Sequence, residues 1–133
     1  MQIYLAGPIR HSPDPVTWRE EIEETYDDYD FLNPLDWGEY TDEVAPDEVV
    51  DKDLETLEWG ADALLCRWEN VATAGSPMEM IYASEVFNIP VVVLKKEPDM
   101  DLSPWVRQHA DFVTDYVDYA ITYLEGYDHG KES

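Results

Sequence analysis

Short apolar runs alternate with longer amphipathic segments along the chain. Four runs have the length and composition of buried strands, at residues 3–6, 30–33, 62–68 and 90–94, and residues 112–114 are a candidate for a fifth. Between these runs, apolar residues recur at the spacing of one helix face. The predicted helices cover residues 15–29, 46–59, 78–88 and 117–126. Asp14 is expected to cap the first helix, and Gly60 is expected to end the second.

This alternation predicts an α/β fold, specifically a single-domain flavodoxin- or Rossmann-like three-layer fold with a four- to five-stranded parallel sheet. The domain is expected at residues 1–126, with a polar C-terminal tail at residues 127–133. In such folds, ligands bind at the carboxyl ends of the strands, near the point where the strand order reverses. The loops after the first, third and fourth strands are therefore candidate site loops. A further loop at residues 36–40 carries the rings of Trp37 and Tyr40, which could line a pocket.

The net charge of the chain limits the classes of partner that it is expected to bind. Against 31 acidic residues stand only 8 Lys and Arg, which gives a net charge of −23. Nucleic acid is not an expected partner, because such a surface repels phosphates and has no basic stripe. With 44% hydrophobic residues the chain still has a globular composition. Acid spread along the whole length suggests a halophile's surface, and the alternative is an acidic decoy for basic proteins.

Several classes of site and location are not supported by the sequence. With Cys66 alone, no internal disulfide or cysteine metal cluster can form. The isolated His11, His109 and His129 lack metal-ligand spacing and are expected at the surface. No basic region precedes a long apolar segment, and no run approaches a membrane span, so we expect an intracellular, cytoplasmic protein.

One segment stands out as a candidate site, a small-residue loop that leads into the third helix. Ser76 is a good N-cap and Pro77 suits the first helical position, which puts Glu79 third. In the simpler interpretation, Ser76 and Glu79 form a capping box and have no other role. In the other, the positive end of the helix dipole keeps the Glu79 carboxylate ionised beside a glycine-containing loop that a ligand can approach.

Two further side chains are expected at the same edge of the sheet. Asp53 borders the inward stripe of the second helix, where an unpaired carboxylate is costly, although it could instead pair with a nearby cation. Tyr4 lies on the first strand and could simply be a core aromatic. The turn that follows Tyr4, at residues 7–10, brings Arg10 to this edge.

These residues together resemble the nucleoside 2-deoxyribosyltransferase superfamily, which includes 2'-deoxynucleoside 5'-phosphate N-hydrolases. The resemblance spans residues 3–95 and depends on the order and spacing of five short motifs. They are Ile3-Tyr4-Leu5-Ala6-Gly7-Pro8-Ile9, Trp18-Arg19, Asn33-Pro34, Asp53-Leu54 with Ala61-Asp62-Ala63-Leu64-Leu65, and Gly75-Ser76-x-x-Glu79 with Tyr82-Ala83.

The resemblance implies cleavage of an N-glycosidic bond through a covalent intermediate. Glu79 matches the nucleophile that attacks the anomeric carbon, Asp53 matches the acid that serves the leaving base, and Tyr4 matches the phenol that orients the nucleophile. Configuration is retained, and no metal or organic cofactor is needed. The family also implies a homo-oligomer, but the tail shows no match to the family's chain end.

The substrate-binding residues implied by the resemblance are Gly7, Ile9, Arg10, Thr73, Gly75 and Ser76. In the transferases of this family that use free nucleosides, the residue six positions before the nucleophile is an acid. The resemblance puts Thr73 at that position in this chain. A hydroxyl followed by Gly75 suits a phosphate better, so we expect a 5'-phosphate on the substrate, with Arg10 as a second contact. The alternative is a nucleotide-binding module without catalysis, in which Glu79 is only a cap.

Overall fold

Five strands form one sheet in the computed structural model, which describes residues 1–37, 46–71 and 73–132. The strands are Gln2–Ala6 (β1), Asp30–Leu32 (β2), Ala63–Trp68 (β3), Val91–Lys95 (β4) and Phe112–Thr114 (β5). All pairs are parallel, in the order β2-β1-β3-β4-β5. The predicted α/β fold is confirmed, with the fifth strand present. Tyr40, expected to line a pocket, lies outside the described residues.

The strand order places a switch point at the middle of the sheet. From β1 the chain moves to β2 on one side and then crosses to β3 on the other, where Leu5 pairs with Leu65. The connection that leaves β1 runs toward β2, and the connection that leaves β3 runs the other way, toward β4. Their divergence leaves a crevice at the carboxyl ends of β1 and β3. The loops after these two strands carry most of the predicted site residues.

The helices cover both faces of the sheet. They are Thr17–Thr25 (α1), Pro46–Trp59 (α2), Gly75–Ile81 (α3), Pro104–His109 (α4) and Val117–Glu132 (α5), and a π-helical turn, Tyr82–Val86, extends α3. Ile22 of α1 and Leu124 of α5 belong to one buried cluster, and Leu57 of α2 and Met80 of α3 belong to the other. No helix in the described ranges is both long and apolar enough to cross a membrane.

Several helices differ from the predictions. The first helix begins at Thr17, two residues late. Its N-cap is Val16 and no side chain caps it, so the prediction that Asp14 is the cap was wrong, although Asp14 Oδ1 accepts the N–H groups of Val16 and Thr17 at 3.2 and 3.0 Å at the helix start. The hydrogen bonds to Thr17 lower the pKa of Asp14. α4 was not predicted, because six residues are too few to show a periodicity. α5 continues to Glu132, through residues predicted as a polar tail.

Candidate active site

The start of α3 differs from the predicted capping box. Ala74 is the N-cap and no side chain caps the helix. Ser76 is buried, and it lowers the pKa of the Cys66 thiol on β3, so its side chain lies toward the sheet instead of capping the helix N-terminus. Glu79 is therefore the fifth helical residue and lies beyond the first turn. The prediction that Ser76 is the N-cap was wrong, because the helix begins one residue earlier, at Gly75, and the Ser76 side chain is buried.

The Glu79 carboxyl group is held by the first strand. The hydroxyl of Tyr4 donates a hydrogen bond to Glu79 Oε2 at 2.5 Å, across 75 residues of sequence. Tyr4 is fully buried, so it is a core aromatic with a satisfied hydroxyl and an orienting group for Glu79 at once. Glu79 makes no capping hydrogen bond at the start of α3, so the capping-box interpretation does not hold.

Burial raises the pKa of Glu79 from 4.5 to about 8. The Tyr4 hydrogen bond lowers this pKa, the charge of Asp53 raises it, and the charge of Arg19 lowers it. The expectation that the helix dipole keeps Glu79 ionised was therefore wrong for the ligand-free site. The dipole acts mainly within the first turn, which Glu79 has passed, and removal from water favours the neutral carboxyl.

A cleft of about 640 Å³ opens at the switch point, between the loops after β1 and β3 and the helix α2. It is large enough for a nucleotide-sized ligand. The predicted residues that line it are Gly7, Ile9, Arg10, Asp53, Thr73, Gly75, Ser76 and Glu79. Tyr4 lies behind Glu79 in the core. Residues predicted from distant segments of the sequence thus surround one cavity, and their roles stay predictions.

Sequence reasoning missed the apolar wall of this cleft. Val49, Val50 and Leu54 line it from α2, and Met78 and Tyr82 line it from α3 and the π-helical turn. Val50, Leu54 and Leu57 share the inward stripe of this helix, and of the three only Leu57 is fully buried. The signal was present in Asp53, because a carboxylate on an apolar stripe indicates that the stripe faces a site rather than the core.

His11 was expected to be an isolated surface residue. It lies in the loop after β1 and lines the cleft next to Arg10. Both side chains are exposed to solvent. The mouth of the cleft therefore carries two groups that can bear positive charge, in a protein whose net charge is −23.

The two glycines of the site differ in what they allow. A Cβ at Gly7 would lie 2.9 Å from Trp18 Cζ2 and 3.4 Å from Arg19 Nη2, so packing beneath the loop already requires glycine there. A Cβ at Gly75 would meet no atom within 4 Å. The missing side chain at Gly75 thus leaves open space inside the cleft.

A buried carboxylate ties the two loops of the cleft together. Glu69, directly after β3, accepts the hydroxyl of Ser12 at 2.9 and 3.2 Å, and Lys96 Nζ lies 3.9 Å away. Ser12 belongs to the loop after β1. This contact fixes the spacing of the loops that carry Arg10 and Thr73.

The raised pKa of Glu79 predicts a pH dependence of stability. Between pH 4.5 and about 8, Glu79 loses its proton in the unfolded chain and keeps it in the folded one. The folded state binds more protons in this window, so the free energy of unfolding falls as pH rises, by on the order of a few kcal/mol from this group. Denaturant unfolding of wild type and Glu79→Gln at constant salt measures it. The variant should gain stability relative to wild type as pH rises from 4.5 to 8, and a difference that is constant with pH would contradict the assignment.

Comparison with known proteins supports the fold of this chain and does not assign it to a family. No family model matches the chain, and no curated protein matches it. Its structure is similar to the crystal structure of a conserved protein from Enterococcus faecalis V583, with a TM-score of 0.59 and 23% sequence identity. The match covers 80% of this chain and 70% of that one. At this identity the similarity shows a common α/β fold, and the chemistry of the cleft has to be argued from its own residues.

Proposed function

We propose that this protein is an enzyme that cleaves the N-glycosidic bond of 2'-deoxynucleosides or their 5'-monophosphates, through a covalent deoxyribosyl intermediate on Glu79. The observation that carries the proposal is the Glu79 carboxyl group, held by Tyr4 at 2.5 Å and placed with Asp53 on the wall of one nucleotide-sized cleft. A carboxyl fixed by a buried hydroxyl and lining a cavity suits attack on a carbon held there. Glycoside cleavage with retention uses two such carboxyl groups.

In the first step, a Glu79 oxygen bonds to the anomeric carbon while the bond from that carbon to the base nitrogen breaks. The bonding electron pair leaves with the base, and Asp53 donates a proton to a base nitrogen. The products are a deoxyribosyl ester of Glu79 and a neutral base. The Tyr4 hydroxyl keeps one carboxyl oxygen engaged, so the other is directed at the sugar.

The protons of the two carboxyl groups are linked. A pKa of about 8 leaves Glu79 mostly protonated at neutral pH, and the charge of Asp53 contributes to that shift. The state that reacts has the same total number of protons on the two carboxyl groups as the ligand-free site, but the proton is on Asp53 and the negative charge is on Glu79. Such pairs titrate as a unit, so moving one proton between them prepares both the nucleophile and the acid.

In the second step, water or an incoming base attacks the anomeric carbon from the opposite face. The carbon–oxygen bond to Glu79 breaks, the electron pair returns to the carboxylate, and Asp53 accepts the proton of the attacking group. Attack by water makes the enzyme a hydrolase, and attack by another base makes it a transferase. Both outcomes retain the configuration at the anomeric carbon.

A 5'-phosphate on the substrate is part of the proposal. Arg10 and His11 lie at the mouth of the cleft, and Thr73 and Gly75 line it from the loop after β3. We expect base release from a 2'-deoxynucleoside 5'-monophosphate to exceed that from the nucleoside by about tenfold or more in kcat/KM, since a charge-assisted contact contributes a few kcal/mol. Chromatography of released base measures the ratio, and Arg10→Gln should reduce it. Preference for the unphosphorylated nucleoside would exclude a phosphate site.

The second candidate is a nucleotide-binding module on the same fold without catalysis. The protonated state of ligand-free Glu79 favours it, because a neutral carboxyl is a poor nucleophile. In this case Glu79→Gln leaves nucleotide affinity unchanged and no base is released by either protein. Base release by wild type alone favours the enzyme.

The proposal also includes a homo-oligomer in a reducing, salt-rich cytoplasm. Met78 is 62% exposed, Val86 56% and Trp105 75%, and all three lie on α3, its π-helical extension or α4. Exposed apolar side chains on neighbouring helices suit a subunit interface.

A further inference from the structure

Arg19 is a buried cation in the layer on the opposite side of the sheet from Glu79. It lies on α1 and is fully buried. Its nitrogens donate to three backbone carbonyls: Nη1 to Pro15 at 2.5 Å, Nη2 to Gly7 at 3.2 Å and Nε to Leu5 at 3.4 Å. None of these acceptors carries a formal charge. A buried guanidinium is costly unless opposite charge lies nearby, so its location calls for a physical reason.

One of the carbonyls that Arg19 holds belongs to a residue of the cleft wall, and another lies next to Tyr4 on β1. Leu5 follows Tyr4 on β1, and Gly7 is the first residue of the β1 loop that lines the cavity. Trp18 packs under the same turn, with its ring 4.5 Å from the Arg19 guanidinium carbon. The Arg19 fork therefore fixes the backbone on either side of Ala6, immediately after the tyrosine that orients Glu79.

The charges around Glu79 come from four elements. Tyr4 contributes a hydrogen bond from β1, Asp53 contributes negative charge from α2, Cys66 on β3 stays a neutral thiol, and Arg19 of α1 contributes positive charge. Arg10 and His11 lie further out on the cleft wall. Glu79 favours the charged form of Arg19, and Arg19 lowers the pKa of Glu79. Each thus favours the charged form of the other across the sheet.

We propose that Arg19 is the positioning residue of this site: it holds the Gly7 turn in place and supplies the positive charge that allows Glu79 to ionise inside the cleft. Its catalytic consequence rests on the proposed function, whereas its effect on the ionisation of Glu79 does not. Attack on the anomeric carbon needs the ionised carboxylate, and substrate binding removes more water from it. A fixed buried cation lowers the cost of that charge without competing for the substrate.

The test compares Arg19→Gln, Arg19→Lys and the matched control Arg67→Gln. Arg67 also lies over the Trp18 ring, at 5.6 Å, but does not act on Glu79. Carboxyl carbon NMR, with the Glu79 signal assigned from Glu79→Gln, follows the titration directly. Arg19→Gln should shift the Glu79 midpoint upward, because it removes a positive charge that lowers the pKa of Glu79. In Arg19→Lys and Arg67→Gln, the Glu79 midpoint should stay close to that of wild type.

The same variants separate the inference from the proposed function. The acid limb of kcat/KM for base release should move upward with the NMR midpoint in Arg19→Gln. An upward-shifted midpoint in Arg19→Gln without base release by any of the proteins supports the role of Arg19 and contradicts the proposed enzyme. An active Arg19→Gln with an unmoved midpoint contradicts the role of Arg19. If Arg19→Gln does not fold, Arg19→Lys decides. For Arg19→Lys we expect kcat to fall tenfold or more while the acid limb of the pH profile stays in place, because a lysine keeps the charge but cannot hold three carbonyls. A wild-type kcat in Arg19→Lys would overturn the positioning role.

Discussion

Glu79→Gln is expected to reduce base release by about 10⁴-fold or more, because removal of a covalent nucleophile leaves only binding and acid catalysis. Glutamine keeps the size of the side chain and can still accept the hydrogen bond that Tyr4 donates to Glu79 at 2.5 Å. The amide also mimics the neutral carboxyl that predominates in the ligand-free site. Substrate affinity should therefore change little, and the loss should appear in kcat.

Glu85→Gln is the matched control for this variant. Glu85 lies in the π-helical turn that extends α3, is exposed, and pairs with His109 Nε2 at 3.3 Å. It makes the same chemical change six residues away without touching the cleft, and its activity should equal that of wild type. Base release by Glu79→Gln at a rate near that of the control would exclude Glu79 as the nucleophile.

Asp53→Asn is expected to lower kcat by about 10²- to 10⁴-fold, the range for loss of a general acid. Asparagine cannot deliver a proton to the departing base. The loss should be much smaller with an N7-methylated 2'-deoxyguanosine phosphate, whose base leaves as a neutral molecule without protonation. Rates of base release from the methylated and unmethylated substrates measure this difference.

Asp47→Asn provides the comparison on the same helix. Asp47 borders the other flank of the apolar stripe and is exposed to solvent, whereas Asp53 is half-buried and lines the cleft. It should release base from both substrates at the wild-type rate. An Asp53→Asn variant that loses the same factor on both substrates would contradict proton donation and leave Asp53 a role in binding.

The parallel sheet was predictable because its strands are almost entirely apolar. The β4 residues Val91, Val92, Val93 and Leu94 are all buried, which only a strand covered on both faces permits. The edge of the sheet that carries the site followed from strand order and the carboxyl-end rule. Asp53 and Glu79 were expected at that edge from their places in the predicted helices, and the resemblance of motifs then implied their roles. Both line one cleft in the structure.

The ionisation of Glu79 was not predictable from local sequence. Ser76-Pro77-x-Glu79 satisfies the local rules of a helix start, but long-range contacts decided the outcome. Ser76 is buried beside Cys66 of β3, and Glu79 accepts a hydrogen bond from Tyr4 of β1. Desolvation by these strands then outweighs the helix dipole and raises the pKa of Glu79 to about 8. Burial of this kind arises from packing between distant segments of the chain, so it cannot be predicted from a local motif.

The most direct test of covalent catalysis is mass spectrometry of the protein after brief mixing with a panel of 2'-deoxynucleoside 5'-monophosphates, followed by acid quenching and peptide mapping. The account predicts free base in solution and one deoxyribosyl phosphate unit esterified to the peptide at Glu79, with no such adduct in Glu79→Gln. Base release by wild type with no adduct on Glu79 at any quench time, or with the adduct on another residue, would contradict it.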